Sequence, residues 1–320
     1  MVACFFTKNF VKKNLYTTHY YIFQISTHFK ERKVKEILVA HSPDADDIFM
    51  YMAVKFGWVS SRLAFKNLAA DIQTLNDATL KGLYDVSAIS FAAYPFVAAD
   101  YALLRTAVSF GNGYGPKLIK KKGAVLKRNF KVALSGEHTT NALLFRIVYP
   151  NARIVYKNFL EIEAAVLSGE VDAGVLIHES ILEFSDALEV EREIWDVWCE
   201  LRGDEALPLP LGGMALRRSL VLSDAIEVER VLTEGVRVAT QNKCLLSRML
   251  LERGLVRVDA QKLETYLNLY ANETSVEMDE VQLRAVDRLF ELGFSHGIFP
   301  VRVSAKANLI PREYAKIRNS

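Results

Sequence analysis

From Glu36 onward the chain alternates between short apolar runs and runs with helical periodicity, and the apolar runs end in polar residues. "EILVAH" (36–41), "RLAFKNLAA" (62–70), "YDVSAIS" (84–90) and "YALLRTAVSF" (101–110) have the length and apolar density of buried strands. Between them lie the helical runs "DIFMYMAVKFG" (47–57), "DIQTLNDATLKG" (71–82) and the short "FAAYPFVAAD". Such alternation lays strands side by side with helices as crossovers, which predicts an α/β sheet. After the break "GNGYGP" (111–116) a second set begins: strands "KVALS" (131–135), "ARIVYK" (152–157) and "VDAGVLIH" (171–178), with helices at 139–149 and 159–169. "ALPLPLGG" (206–213) closes that set. The remainder to residue 293 is mostly helical without heptad regularity, as expected of helices that cover a sheet.

The two Pro/Gly-rich breaks bracket the second set. A chain that leaves one lobe at the first break and returns at the second forms two lobes joined by two hinge crossings around a cleft. The expected boundaries are 34–115 plus 212–320 for the first lobe and 116–211 for the inserted one. Two sequential domains without a shared cleft are the alternative. Residues 1–33 carry no sustained periodicity and lack the continuous apolar middle and small-residue cleavage site of a secretory signal. An interfacial amphipathic segment is one reading. The favoured one is translation from a start upstream of the native one, because Val34 is what an internal GTG start becomes, so these residues are expected to add nothing to the fold.

Composition excludes several classes. Hydrophobic residues make up 51% and charged residues 24%, a globular balance, and no apolar run is long enough to span a bilayer. Residues 1–33 hold six basic residues against Glu31, so removing them turns the net charge from +2 to −3, and no basic surface for nucleic acid is expected. Cys4, Cys199 and Cys244 lack metal-ligand spacing and read as free thiols of a reducing compartment.

Outside residues 1–33 the histidines are His41, His138, His178 and His296, and the first three sit where a strand meets a helix. In open α/β sheets ligands bind at the carboxyl ends of strands. "SGEHTTN" (135–141) ends a strand at Ser135, turns at Gly136 and opens a helix at Thr139 and Thr140. Free first-turn amides beside two hydroxyls suit a carboxylate or phosphate, although plain N-capping by Thr139 explains the motif equally well. "HSPDADD" (41–47) gathers Ser42, Asp44, Asp46 and Asp47. Helix capping by Ser42 or Asp44 accounts for part of it, and EF-hand spacing is absent. Ser87 and Ser90 lie near a strand end, and Tyr114 lies in the first hinge. GxSxG, Walker A, GxGxxG and HExxH patterns do not occur.

Taken in order, "HSPDADDIF", "DVSAISFAAYP", "GYGP", "SGEHTTNALL", "AGVLIHE" and "LPLGG" resemble the 1,4-dihydroxy-6-naphthoate synthase family, which cleaves cyclic dehypoxanthine futalosine on the futalosine route to menaquinone. The resemblance runs from Val34 to the C-terminus. It implies an α/β, two-lobed type II periplasmic-binding-protein-like fold with a helical C-terminal cover. It also implies a cytoplasmic carbon–carbon lyase that releases dihydroxyacetone, with no cofactor or metal. Its substrate is a small molecule bearing a carboxylate, its partners include no nucleic acid or membrane, and a homodimer is left open. By the same resemblance His178 is the catalytic histidine, and Ser135, Gly136, Thr139 and Thr140 hold polar groups of the substrate. Ser42, Asp47, Ser87, Ser90 and Tyr114 are further substrate-binding candidates. Asp46 is another, standing where the family often has Asn, which puts an amide hydrogen bond there in doubt. Glu179 either orients His178 or caps the next helix. The rivals are a chorismate dehydratase of the same pathway, a non-catalytic solute-binding protein and a transcription-factor effector domain.

Overall fold

A computed structural model describes residues 34–313. The expectations for residues 1–33 concern positions outside the described residues. In chain order the elements are β1 (Glu36–His41), α1 (Ala45–Lys55), β2 (Ala64–Ala69), α2 (Ile72–Leu80), β3 (Val86–Ser90), α3 (Tyr94–Val97), β4 (Tyr101–Leu103) and β5 (Ser109–Gly111). There follow β6 (Lys117–Lys121), β7 (Lys131–Leu134), α4 (Thr140–Val148), β8 (Arg153–Tyr156), α5 (Phe159–Ser168), β9 (Ala173–Leu176), β10 (Leu188–Glu193) and α6 (Ile194–Leu201). The last are β11 (Leu209–Arg217), α7 (Leu222–Gln241), α8 (Lys243–Glu252), α9 (Ala260–Tyr270) and α10 (Glu280–Ser295).

The strands form two sheets. The first runs β2-β1-β3-β11-β4, with β5 also paired to β11, and the second runs β10-β6-β9-β7-β8. Each has a parallel trio, β2-β1-β3 in the first and β9-β7-β8 in the second. Antiparallel strands complete them, β11 against β3 and β6 against β9. The chain passes from the first sheet to the second between Gly111 and Lys117 and returns between Leu201 and Leu209. The two passages lie side by side, because Leu209 is the register partner of Gly111. Gly113, at φ +83°, takes the left-handed turn that glycine adopts without steric cost in the first passage.

Packing follows the apolar faces. Ile37, Val39, Val86 and Leu216 meet Val228 and Leu232 of α7 beneath the first sheet. Leu118, Val132, Val175, Phe145 and Val166 close the core of the second sheet, and that cluster continues into α9 and α10 through Tyr266, Leu267, Leu289 and Phe290. Fully burying one such aliphatic side chain contributes about 1.5–3 kcal/mol.

Several elements depart from what their sequence predicts. Residues 209–213, expected to be a flexible break, are the first half of β11, whose hydrogen bonding to β5 and β3 overrides the turn tendency of Pro210, Gly212 and Gly213. The run 101–110 splits into β4 and β5. Arg105 leaves the ladder to bind Glu229 through both its backbone N–H and its guanidinium, and Ala107 adopts φ +53°. The segments β6 and β10 show no apolar strand pattern, since their charges pair across the ladder: Lys120 with Glu189 and Glu191, Lys117 with Glu193. Helix α6 is likewise additional to the elements read from sequence, while α8 falls within the stretch expected to be mostly helical.

Candidate active site

The carboxyl ends of β1, β3, β7 and β9 converge on a cleft of about 750 Å³, counting its open mouth. From the first sheet come Ser42, Asp46, Asp47 and Ser90. From the second come Ser135, Thr139, Thr140, Asn141, Ile177 and His178, while Tyr266 and Tyr270 of α9 form a further wall. Most of the sequence candidates therefore face one space.

His178 is the residue on which the second sheet ends. Strand β9 stops at Leu176, and His178 begins a short 3₁₀ turn with φ +55°. A non-glycine residue in this left-handed region costs about 1–3 kcal/mol and persists only where its surroundings impose it. Its ring packs edge-on against Phe159, 5.0 Å between centroids. Its Nε2 is buried and lies 3.1 Å from Asp44 Oδ2, although not aligned for an N–H···O hydrogen bond.

Asp44 is fully buried, and its role differs from the capping one expected of it. It occupies the N-cap position of α1, but its side chain makes no capping bond. Instead its carboxylate accepts from Ser42 Oγ and, at 2.7 Å, from Arg257 Nη2. The first free amide of α1, Ala45 N–H, is taken by Glu179 Oε1 at 3.0 Å. Glu179 comes from the turn after β9 and also lies 3.6 Å from Arg257. The helix is thus capped across the cleft, and the same contact holds the His178 turn against the first lobe.

Asp47 Oδ2 accepts from Ser42 N–H at 2.8 Å, and Asp46 Oδ1 accepts from Tyr266 OH at 3.2 Å. Burial, then Asp47, Asp44 and Glu179, raise the Asp46 pKa well above the usual carboxylate range. Burial also raises that of Asp47, against the opposing pull of His41. Burial and the nearby carboxylates push the Tyr266 phenol well up, so it stays a hydrogen-bond donor.

On the opposite wall Thr139 caps α4, accepting from Ala142 N–H at 3.2 Å and donating to Gly136 O at 2.9 Å. Thr140 donates to Leu211 O of β11 at 3.1 Å. Ser135 Oγ and Asn141 Oδ1 are buried without a hydrogen-bond partner among the described residues. The Ser135 hydroxyl beside the free amides of a helix start makes a face ready for an anion, whereas Asn141 Oδ1 can only accept and suits a donor group of a ligand.

Three candidates do not face the cleft. Ser87 is buried in β3 and donates to Ala88 O. Tyr114 turns its hydroxyl to Leu269 O and its ring edge to Tyr270, so it backs a wall residue. Gly136 has no left-handed backbone; its lack of a side chain matters because a Cβ there would meet Gln73 Oε1 of the other lobe at 2.0 Å. The remaining histidines among the described residues pack outside the cleft: His41 lies tilted against Tyr51, His138 packs on Phe96, and His296 bonds Leu292 O. The roles of Arg257, Tyr266, Tyr270 and Asn141 were not read from the sequence, since ordinary helical and loop patterns surround them. No group of three or more His, Cys, Asp or Glu side chains among the described residues is arranged to hold a metal ion.

Two α/β lobes, two crossings and a polar cleft at the carboxyl ends of four strands define the periplasmic-binding-protein-like class. The alkanesulfonate-binding protein SsuA from Xanthomonas axonopodis pv. citri, bound to MOPS, shares this fold with a TM-score of 0.62 at 12% identity, covering 86% of this chain and 97% of that one. Within the class, the chain belongs to the menaquinone biosynthesis family, whose model matches residues 37–295. It is 30% identical over 269 residues to the 1,4-dihydroxy-6-naphthoate synthase of Streptomyces coelicolor, covering 82% of this chain and 94% of the relative. The enzyme of the same name from Thermus thermophilus is 29% identical over 270 residues, 83% of this chain and 96% of that one. Protein AF1704 from Archaeoglobus fulgidus superposes with a TM-score of 0.75 at 34% identity, over 82% of this chain and 98% of that one.

Proposed function

We propose that this protein is a cytoplasmic carbon–carbon lyase of menaquinone biosynthesis. It would convert cyclic dehypoxanthine futalosine to 1,4-dihydroxy-6-naphthoate and dihydroxyacetone, with His178 as base. The observation that carries the reading is the placement of His178, in a left-handed backbone at the end of β9, with Nε2 against the buried Asp44 carboxylate and the cleft before it.

The Asp44 carboxylate 3.1 Å from Nε2 would favour the tautomer with the proton on that nitrogen, leaving Nδ1 with the lone pair a base requires. The substrate carboxylate is assigned to the face made by Ser135, Thr139, Thr140 and Asn141. There the helix start offers positive potential and the unpartnered Ser135 hydroxyl gains an acceptor. The opposite end, with Ser42, Ser90, Asp46 and Asp47, would take the polyhydroxylated part. Removing a proton from that part starts a retro-aldol-like opening, and preorganised donors stabilise the enolate charge that develops. Loss of dihydroxyacetone then aromatises the ring.

Incubating purified protein with cyclic dehypoxanthine futalosine tests this directly. Appearance of the naphthoate chromophore and of dihydroxyacetone is the expected result. Turnover of chorismate instead, in a parallel incubation, would move the assignment to a dehydratase, and turnover of neither would favour a binding protein.

A further inference from the structure

We propose that Arg257 is a positioning residue of this reaction, bridging Asp44 of one lobe and Glu179 of the other so that the His178 imidazole is held in place and stays neutral. The proposal rests on the lyase reading above. Arg257 lies in the loop between α8 and α9 and is not among the residues that line the cleft. Its Nη2 donates to Asp44 Oδ1 at 2.7 Å and stands 3.6 Å from Glu179 Oε2. Its guanidinium also lies over the Phe159 ring, 5.2 Å from the centroid, where the ring quadrupole attracts a cation. Phe159 in turn meets the His178 ring at 5.0 Å. One side chain therefore reaches His178 by three routes: Asp44 facing its Nε2, Glu179 next to it in the 3₁₀ turn, and Phe159 against its ring.

Electrostatics gives the bridge its purpose. The side chain of Asp44 is 1% exposed and that of Glu179 8%, and no other Lys or Arg among the described residues pairs with either. A buried carboxylate needs an opposite charge or a proton. Without Arg257, Asp44 would draw that charge from His178 as imidazolium, or take up a proton itself. Either outcome removes the base. An imidazolium has no lone pair, and a neutral Asp44 no longer fixes the ring tautomer. The other titratable groups at this end are Asp46, Asp47, His41 and Tyr266, and none replaces the guanidinium. His41 donates from Nδ1 to Ser42 O and accepts at Nε2 from the Asn67 amide, so its ring is neutral.

Removal and rescue test the proposal. Arg257→Ala is expected to lower kcat at least about tenfold with KM within a few-fold, because the residue acts through Asp44 and His178 rather than on substrate. Arg257→Gln keeps most of the stem and loses the charge. The same fall is expected of it, and it carries every comparison should Arg257→Ala not fold. The Arg257 side chain is 43% exposed, so the place it leaves is open to solvent. Guanidinium chloride far below denaturing concentration should raise the kcat of Arg257→Ala several-fold, and urea, of the same shape without the charge, should not. Arg257→Lys restores the charge without the planar fork, and a partial recovery is expected. A kcat within a few-fold of an active wild type for Arg257→Gln, or a loss that neither lysine nor guanidinium relieves, would overturn the positioning role and leave the lyase reading intact.

Nitrogen-15 spectra of substrate-free protein at neutral pH give a readout that needs no turnover. Wild type is expected to show the His178 ring neutral with its proton on Nε2, and Arg257→Gln to lose that signature. Identical His178 signals in the two proteins would overturn the proposal. An inactive wild type would instead sink the lyase reading, and the role in catalysis with it, while the spectra judge the bridge by themselves.

Discussion

His178 Nε2 and Asp44 Oδ2, 3.1 Å apart, belong to opposite lobes: Asp44 follows β1 of the first sheet and His178 follows β9 of the second. The pair therefore spans the cleft. Replacing His178 by Gln is expected to lower kcat at least about 100-fold. Asp44→Asn keeps the shape but removes the charge beside the imidazole, and a loss of at least about tenfold in kcat is expected. Steady-state kinetics at saturating substrate check both, and near-wild-type kcat for His178→Gln would remove it as the base.

Gly136 and Gln73 meet across the same cleft. The Cβ of Gly136→Ala would collide with the Gln73 amide, and yielding by that flexible side chain limits the cost. A several-fold rise in KM with little change in kcat is expected. Adding Gln73→Ala should restore KM; failure of the double variant to recover would show that the contact does not limit closure.

Ser135 presents a trade between stability and binding. Its hydroxyl is buried and unpartnered, so Ser135→Ala is expected to leave the free protein as stable or more so, by up to about 1 kcal/mol. A hydrogen bond to a charged group is worth about 1.5–3 kcal/mol, so KM should rise about tenfold or more. Calorimetry with kinetics reads both, and a destabilised variant with unchanged KM would remove the residue from the anion face.

Asp46 links stability to pH with a definite sign. Its folded pKa is raised above the ordinary value of 3.8, so the folded protein binds more protons than the unfolded chain between those two values. Stability contributed by Asp46 is therefore present at low pH and is lost as pH climbs from the unfolded value through the folded one. Asp46→Asn should equal wild type in Tm at low pH and exceed it increasingly as pH rises through that window. A constant difference across the range would show that the carboxyl is not perturbed.

Much of the frame was legible because it is written locally. Strands β1, β3, β7 and β9 are short apolar runs, and α1, α2, α4 and α5 alternate with them at helical period. The pair β6–β10 was not legible. Its lysines and glutamates are stabilised by each other across the ladder, a partnership that neither segment displays alone. The site divides the same way. His178, Ser135, Thr139 and Thr140 stand at predictable strand ends, whereas Tyr266 is 220 residues from Asp46, and Arg257 is 213 from Asp44.

The sequence by itself determined the strands and helices of the two parallel frames and the polar residues at their ends, since both follow from the periodicity of apolar residues along a few turns of chain. Only the tertiary structure decided which histidine enters the cleft and which carboxyl has its pKa raised most by burial. His41, His138 and His178 occupy equivalent junctions in the sequence, and their fates diverge through packing against Tyr51, Phe96 and Asp44. Burial and the distances between charges fix these outcomes, and both are properties of the folded chain.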